Sequence, residues 1–167
     1  MNSTTDNQLL HRLESLLKEA NEEERDLVSR IVDGLELKRM GKHSTYLAAL
    51  TNVESRTLEN GQFEMTLPIQ PLVENPLKMV HGGMTATLLD SAMGSLVNES
   101  LSENFAALTA EMNVHYIKPG VGSYLRCVAS LSHKGNQLCV TEGKVYDEHN
   151  KLVAMATATF FIIKKSN

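Results

Sequence analysis

The chain has 167 residues, 42% of them hydrophobic and 22% charged, which is typical of a globular protein with a real core. Its net charge of −4 includes no basic block, so we expect no binding to nucleic acid or to a membrane surface. The sequence shows no signal-peptide pattern and no apolar run that could span a bilayer, so we expect a cytoplasmic protein. Its two cysteines, Cys127 and Cys139, are too few for a disulfide framework, and we expect both thiols to be reduced and in the core.

Two amphipathic helices are predicted for an N-terminal extension, residues 1–42. Leucines recur at helical spacing over residues 8–20, and Asn21 begins a second helix with Glu24 completing a capping box. We expect a helical hairpin whose apolar face packs either on the rest of the domain or on a partner subunit. Acids outnumber bases in residues 1–50, which disfavours a helix-turn-helix DNA reader.

Residues 43–167 are predicted to form the main domain, with one central helix and five or six mostly antiparallel strands. The helix is expected over residues 84–100, which are apolar on most faces. Turn residues bound the expected strands, which are residues 46–54, 62–68, 106–117, 123–132, 137–146 and 152–163. This set of predicted elements indicates an α+β fold in which an antiparallel sheet wraps around the central helix.

The segment NPLKMVHGGMTATLLD, residues 75–90, contains the residues that point to chemistry. Gly82 and Gly83 stand where the central helix begins, and bare N–H groups at a helix start can stabilise an oxygen that becomes negatively charged. A tight turn before a helix would explain two glycines equally well. His81 has no second ligand at a recognisable spacing, so we expect a hydrogen-bonded turn residue and no metal site.

Asp90 is a carboxylate in the middle of an apolar helix. Burying a charge is costly, so a functional role has to be weighed against a salt-bridged or solvent-facing acid. Its spacing from the glycine turn favours function.

The same segment resembles the hotdog-fold acyl-CoA thioesterases, particularly the phenylacetate-pathway type within the 4-hydroxybenzoyl-CoA thioesterase superfamily. The matching features are the His-Gly-Gly turn, an acid nine residues after the His, an amide seven residues before the first Gly, and MNVHYIKPG in the next strand. The resemblance covers residues 45–163. It implies hydrolysis of an acyl-CoA to a carboxylic acid and CoA by a homodimer or tetramer, with no cofactor, because the CoA thioester is the substrate.

The resemblance also implies roles for single residues. Gly82 supplies the N–H that polarises the thioester, and Asn75 supports the same group. Asp90 is either the general base that activates water or the nucleophile that forms a transient anhydride. Thr109 places a hydroxyl near the acid, unless it is an ordinary strand threonine, and Gly83 belongs to the substrate-binding turn together with His81.

The distance between Gly82 and Asp90 predicts the quaternary structure. Eight residues of helix span about 12 Å, which is too far for both groups to meet one carbonyl. Two helices packed antiparallel about a two-fold axis would bring each Asp90 to the partner's Gly82. We therefore expect two composite sites per dimer.

Coenzyme A carries phosphates, so basic groups are expected near the pocket mouth. The candidates are Lys118, Arg126, Lys134, Lys164 and Lys165. Strand-connecting loops commonly hold the nucleotide in relatives, which favours the turn of Lys134, Gly135 and Asn136, although ordinary surface solvation also explains these lysines.

A non-catalytic acyl-CoA sensor or regulatory module is the alternative function, because hotdog folds serve both purposes. Such a module could dispense with the acid, whereas this chain keeps Asp90 in register with the glycine turn. A hydratase would carry a differently spaced His-acid pair. The residues therefore favour an enzyme and leave the acyl group open.

Overall fold

The computed structural model of the chain describes residues 3–165, with side chains described for residues 5–165. The chain forms two compact units, residues 1–50 and 51–167. No helix among the described residues is both long enough and apolar enough to cross a bilayer.

The described part of the first unit contains α1 (Ser3–Glu19), α2 (Glu22–Arg39) and all but the last residue of α3 (Tyr46–Thr51). The two predicted helices are α1 and α2, and the predicted capping box between them is confirmed. Asn21 Oδ1 accepts from the Glu24 N–H at 2.9 Å, while Glu24 Oε2 accepts from the Asn21 N–H at 2.8 Å. The leucines of α1 are exposed, with Leu9, Leu10, Leu13 and Leu16 between 39% and 57% accessible.

The prediction of a strand from Tyr46 to Glu54 is wrong for most of its length. Residues 46–51 form α3, which begins after Thr45, whose hydroxyl accepts from the Ala48 N–H at 3.1 Å. Asn52 then takes a left-handed conformation with φ of 54°, which is a common way to end a helix. Leucine and alanine dominate the segment and favour a helix, and only its last residue belongs to a strand.

The second unit is a six-stranded antiparallel sheet with one long helix, α4 (Gly82–Glu99). The strands are β1 (Glu54–Thr57), β2 (Phe63–Pro68), β3 (Phe105–Tyr116), β4 (Tyr124–Lys134), β5 (Leu138–Asp147) and β6 (Leu152–Lys164). They lie side by side in the order β1-β2-β4-β5-β6-β3. The predicted arrangement of a central helix against an antiparallel sheet is confirmed.

The core lies between α4 and the inner face of the sheet. Helix residues such as Leu89, Ala92 and Met93 are fully buried against β2, β4, β5 and β6. Gly143 on β5 makes this approach possible, because a Cβ there would lie 3.0 Å from Leu89 Cδ2 and 3.2 Å from Met93 Cγ. Helix α4 is therefore well buried, as its apolar residues on most faces predict.

The two edges of the sheet differ in character. One edge, β1, has four exposed residues, Glu-Ser-Arg-Thr, and short charged edges discourage further pairing. The other edge, β3, is twelve residues long and, among the residues that the structure describes, pairs only with β6. A long edge strand of this kind offers its free N–H and C=O groups to another strand.

A β-bulge interrupts β3 at Ala110. Thr109 pairs with Phe160 and Glu111 with the next residue, Thr159, so β3 carries one extra residue. Side chains seven residues apart on a regular strand point to opposite faces, but the bulge restores a common face. Thr109 and Tyr116 consequently both point to the α4 side of the sheet.

Candidate active site

The first turn of α4 leaves one backbone N–H group without an acceptor among residues 3–165. The His81 N–H donates to the Val73 carbonyl, and the N–H groups of Met84 and Thr85 both donate to the His81 carbonyl. The Gly83 N–H donates to His81 Nδ1 at 2.9 Å. Gly82 is the remaining member of this turn, and its N–H lies at the positive end of the helix dipole.

Gly82 and Gly83 differ in how closely the surrounding atoms approach them. A Cβ at Gly83 would lie 3.0 Å from His81 Nδ1 and would disturb the cap. A Cβ at Gly82 would make only an ordinary contact, 3.6 Å from the Tyr116 ring. Packing within the chain therefore restricts residue 83 but does not by itself require a glycine at residue 82.

His81 is the N-cap of α4, as predicted for a hydrogen-bonded turn residue. Because Nδ1 accepts a hydrogen bond, the neutral ring carries its proton on Nε2. The described residues contain no group of three or more His, Cys, Asp or Glu side chains that could hold a metal ion.

A pocket of about 290 Å³ opens beside the helix tip. Its lining includes Gly82, Asn75, Thr85, Tyr116 and Lys118. The first residue of α4 thus lines the pocket together with the loop before α4 and the end of β3.

Asn75 is fixed in the loop before α4 with its amide group oriented. Its Oδ1 atom accepts from the N–H groups of Leu77 at 2.9 Å and Met79 at 3.3 Å. The Nδ2 group is therefore left as a donor on a residue that lines the same pocket as Gly82. Gly82 and Asn75, the two residues predicted to donate to the thioester, thus line one cavity.

Asp90 lies two turns further along α4 and is half-exposed. The Thr109 hydroxyl donates to its Oδ1 atom at 2.7 Å, so the predicted proximity of these two residues is present. Asp90 is not among the residues that line the Gly82 pocket. Within one chain the acid and the helix tip are thus about 12 Å apart.

Tyr116 is a pocket residue that the sequence analysis did not single out. Its phenol donates a hydrogen bond of 2.9 Å to the Gly82 carbonyl. The motif MNVHYIKPG contains this residue, but the bulge that turns it toward α4 has no signature in the sequence.

The turn of Lys134, Gly135 and Asn136 connects β4 to β5 and lies at the far end of α4. The Lys134 ammonium donates to the carbonyl of Ser100, the C-cap residue of α4, where a positive charge complements the helix dipole. Within one chain this turn is a full helix length away from Gly82. A role for these three residues in binding CoA stays a prediction.

Lys118 brings a positive charge to the pocket, but the charge is paired. Its Nζ lies 3.0 Å from Asp147 Oδ2. The hydrogen bond from the Lys151 N–H, with those from Lys118 and the His149 N–H, lowers the pKa of Asp147 to about 2. The carboxylate therefore stays ionised and holds Lys118 in place.

Both cysteines are buried, as predicted for core thiols. Burial raises the pKa of Cys127 to about 12, so the thiol form dominates at neutral pH. A thiolate is the reactive form of cysteine, which makes Cys127 an inert core residue.

A family comparison identifies the class of protein. The model of the thioesterase superfamily matches residues 77–154, which include α4 and strands β3 to β5. The medium/long-chain acyl-CoA thioesterase YigI of Escherichia coli strain K12 is 27% identical over 97 residues, or 50% of this chain. The match spans 63% of that curated relative.

Solved structures show which fold the chain shares. The BH2602 protein of Bacillus halodurans, crystallised with CoA, is 54% identical and has a TM-score of 0.86, covering 92% of this chain and 99% of that chain. The E. coli PaaI protein of the phenylacetic acid degradation operon has a TM-score of 0.67 at 18% identity, covering 82% of this chain and 98% of that one, and shows the shared fold. The chain belongs to the thioesterase superfamily and has the hotdog fold, so the resemblance found in the sequence is confirmed.

Proposed function

We propose that the protein hydrolyses acyl-CoA thioesters to a carboxylic acid and CoA at a site shared by two subunits. The observation that carries this proposal is the unpaired N–H of Gly82 at the tip of α4, in a pocket that Asn75 also lines. The predicted class, a thioester hydrolase, is supported by the superfamily match and by the acyl-CoA thioesterase named among the relatives.

The helix tip stabilises the charge that develops on the thioester oxygen. When a nucleophile attacks the thioester carbon, the carbonyl oxygen becomes an oxyanion, and preformed donors stabilise it more than they stabilise the substrate. The Gly82 N–H is one such donor, and the Asn75 Nδ2 group is the second. No charged side chain is needed at this position, because the dipole of α4 supplies the field.

Asp90 of the partner subunit supplies the second half of the site. As a general base it removes a proton from water, the hydroxide adds to the thioester carbon, and the tetrahedral intermediate expels CoA as a thiolate. As a nucleophile it would instead attack the thioester carbon, and cleavage of the C–S bond would release CoA thiolate and leave an anhydride that water then hydrolyses to the free acid and Asp90. Both routes use the same carboxylate, and the Thr109 hydroxyl holds it in one orientation.

A homodimer is proposed because one chain separates the two halves. The long free edge of β3 is available for pairing with the same edge of a second copy. An antiparallel arrangement of two α4 helices then brings each Asp90 toward the partner's Gly82. The same arrangement moves the partner's Lys134 turn, at the C-terminal end of its helix, to the side of the pocket where we propose that the nucleotide of CoA lies.

The first test is release of free CoA from short, medium, long and aromatic acyl-CoAs. Asp90→Asn should lower kcat by about 10²–10⁴ on any substrate that the wild type hydrolyses. Asp33→Asn, an exposed acid on α2, is the matched control and should leave kcat unchanged. Tight acyl-CoA binding without turnover by the wild type would favour the acyl-CoA sensor instead.

A second test removes only the proposed donor. Gly82 is the first helical residue, where proline is well tolerated, and His81 has φ of −59° and ψ of 134°, which suits a residue before proline. Gly82→Pro should keep the fold and lower kcat by about 10²–10³, because the ring nitrogen carries no hydrogen. Gly82→Ala adds a side chain but keeps the N–H, so its kcat should lie well above that of Gly82→Pro.

The shared site is tested by mixing two inactive variants. Asp90→Asn and Gly82→Pro chains that exchange subunits should give mixed dimers with one intact site each, or about a quarter of the wild-type sites after complete exchange. Activity that stays at the level of the separate variants would show that Gly82 and Asp90 do not cooperate across subunits.

A further inference from the structure

We propose that Tyr116 is a positioning residue that holds Gly82 in the orientation needed for oxyanion stabilisation. Tyr116 is the last residue of β3, and its hydroxyl lies 2.9 Å from the Gly82 carbonyl oxygen. This inference rests on the proposed function, because it assigns a task at the same site.

The hydrogen bond acts on the residue that most needs restraint. A glycine at the end of a helix has wide conformational freedom, and Gly83 follows with no side chain of its own. The phenol fixes the Gly82 carbonyl while the His81 cap fixes the Gly83 N–H. Both contacts hold the single peptide unit that joins Gly82 to Gly83. The Gly82 N–H belongs to the preceding peptide unit, whose His81 carbonyl accepts from Met84 and Thr85, so we infer that its direction is set before substrate binds.

Preorganisation of this kind affects the transition state more than the bound substrate. An oxyanion hole works when its donors stand at the correct distance without having to reorganise during the reaction. The Tyr116 hydroxyl already donates its hydrogen to the Gly82 carbonyl, so it is not used as a donor to the thioester. Its contribution therefore passes through Gly82.

The bulge at Ala110 gives this contact its structural basis. It turns Thr109 and Tyr116 to the same side of β3, where one contacts Asp90 and the other contacts Gly82. A single strand thus positions both residues that we propose for catalysis. Tyr116 is 56% exposed in the chain, so burial in the core does not explain why its hydroxyl contacts Gly82.

The test is Tyr116→Phe, which removes the hydroxyl and keeps the ring. We expect kcat to fall by about tenfold, less than for loss of the Gly82 donor itself, with KM changed by less than about twofold. Binding of an S-alkyl-CoA thioether, which has no carbonyl, should be unchanged. Tyr124→Phe on β4 is the matched control, because that tyrosine lines a separate groove with Arg126, and it should behave like the wild type.

Three outcomes separate this inference from the proposed function. Loss of kcat with unchanged thioether affinity and an unchanged melting temperature supports positioning by Tyr116. Wild-type kcat in a folded Tyr116→Phe protein would overturn the inference while leaving hydrolysis in place. If Tyr116→Phe is less stable, hydrogen exchange of the Gly83 amide is compared in the wild type and the variant under conditions where both are folded. Faster exchange at Gly83 in the variant supports the inference, because the phenol and the His81 cap hold the same peptide unit, and equal exchange overturns it.

Discussion

The hydroxyl of Thr109 donates a hydrogen bond of 2.7 Å to Oδ1 of Asp90, which joins the edge strand β3 to the middle of α4. Among residues 3–165, no hydrogen bond is made to the Asp90 Oδ2 atom, which is the atom that we propose faces a water or a thioester. It also selects one rotamer of a short side chain on a helix surface. The orientation of the acid is therefore a property of the folded chain before any partner or substrate binds.

Replacing Thr109 by valine tests this orientation. Valine keeps the branched shape that suits a strand but removes the donor, so we expect kcat to fall by about tenfold with the fold intact. Thr109→Ser keeps a hydroxyl and should retain most of the activity. Thr157→Val, at an exposed position on β6, controls for the general effect of the substitution. Equal kcat for Thr109→Val and Thr109→Ser would remove the hydroxyl from the mechanism.

The capping contact between His81 and Gly83 predicts a coupled pair of stability effects. His81→Ala should lower the free energy of unfolding by about 0.5–2 kcal/mol, whereas His81→Asn, another good N-cap, should cost less. Gly83→Ala in the wild type should also destabilise, because its Cβ would lie 3.0 Å from His81 Nδ1.

In the His81→Ala background that clash is gone, so the same Gly83→Ala change should be neutral or stabilising by up to about 1 kcal/mol. Urea unfolding of the four proteins measures the coupling. Additive effects of the two substitutions would mean that the cap does not explain the glycine.

The sequence was most informative where local pattern and tertiary structure agree. The resemblance predicts that Asn75 and Gly82 serve the same thioester group, and the structure places both residues in the lining of one pocket. Helix α4 and strands β3 to β6 were predicted to within two residues, because alternating or continuous apolar runs between clear turns determine them.

The errors and omissions have physical causes. The segment Tyr46–Thr51 is short, and six residues carry too little periodicity to separate a helix from a strand, so the capping Thr45 and the terminating Asn52 were the better signals. Tyr116 was missed because its side-chain direction depends on an extra residue in β3. A bulge of this kind is decided by strand register, which a local pattern does not encode.

The ion pair between Lys118 and Asp147 predicts a specific dependence of stability on pH. The pKa of Asp147 falls from 3.8 to about 2 in the folded protein, so folding favours the ionised form. This contribution is fully present above about pH 4 and is lost as the pH falls through about 2. The wild type should therefore lose stability across this interval partly because of Asp147.

Asp147→Asn tests the assignment. Asparagine can still accept from the N–H groups of His149 and Lys151, but it has no charge for Lys118. We expect lower stability at neutral pH and a shallower loss of stability between about pH 4 and pH 2. Asp6→Asn, at an exposed position on α1, should keep the wild-type slope. An unchanged slope in Asp147→Asn would contradict the pKa assigned to this carboxyl.

Glu64 on β2 contacts two arginines, and its removal is expected to cost more stability than removal of the exposed one, Arg56. Its side chain is only 8% exposed and lies 2.6 Å from Arg56 Nη2 and 2.9 Å from Arg126 Nη1. Arg56 is 71% exposed, so Arg56→Ala should change the free energy of unfolding by only about 0–1 kcal/mol. Glu64→Ala leaves the 25% exposed Arg126 without its carboxylate and should cost about 1–3 kcal/mol.

The double variant distinguishes charge from packing at this position. If the cost of Glu64→Ala comes from the unpaired Arg126, then adding Arg126→Leu should recover part of the lost stability, because an apolar side chain needs no counterion. If the cost comes from a cavity left by the glutamate, the second substitution should add to the first. Urea unfolding of the single and double variants at neutral pH separates the two, and a purely additive result would show that the ion pair is not what makes Glu64 important.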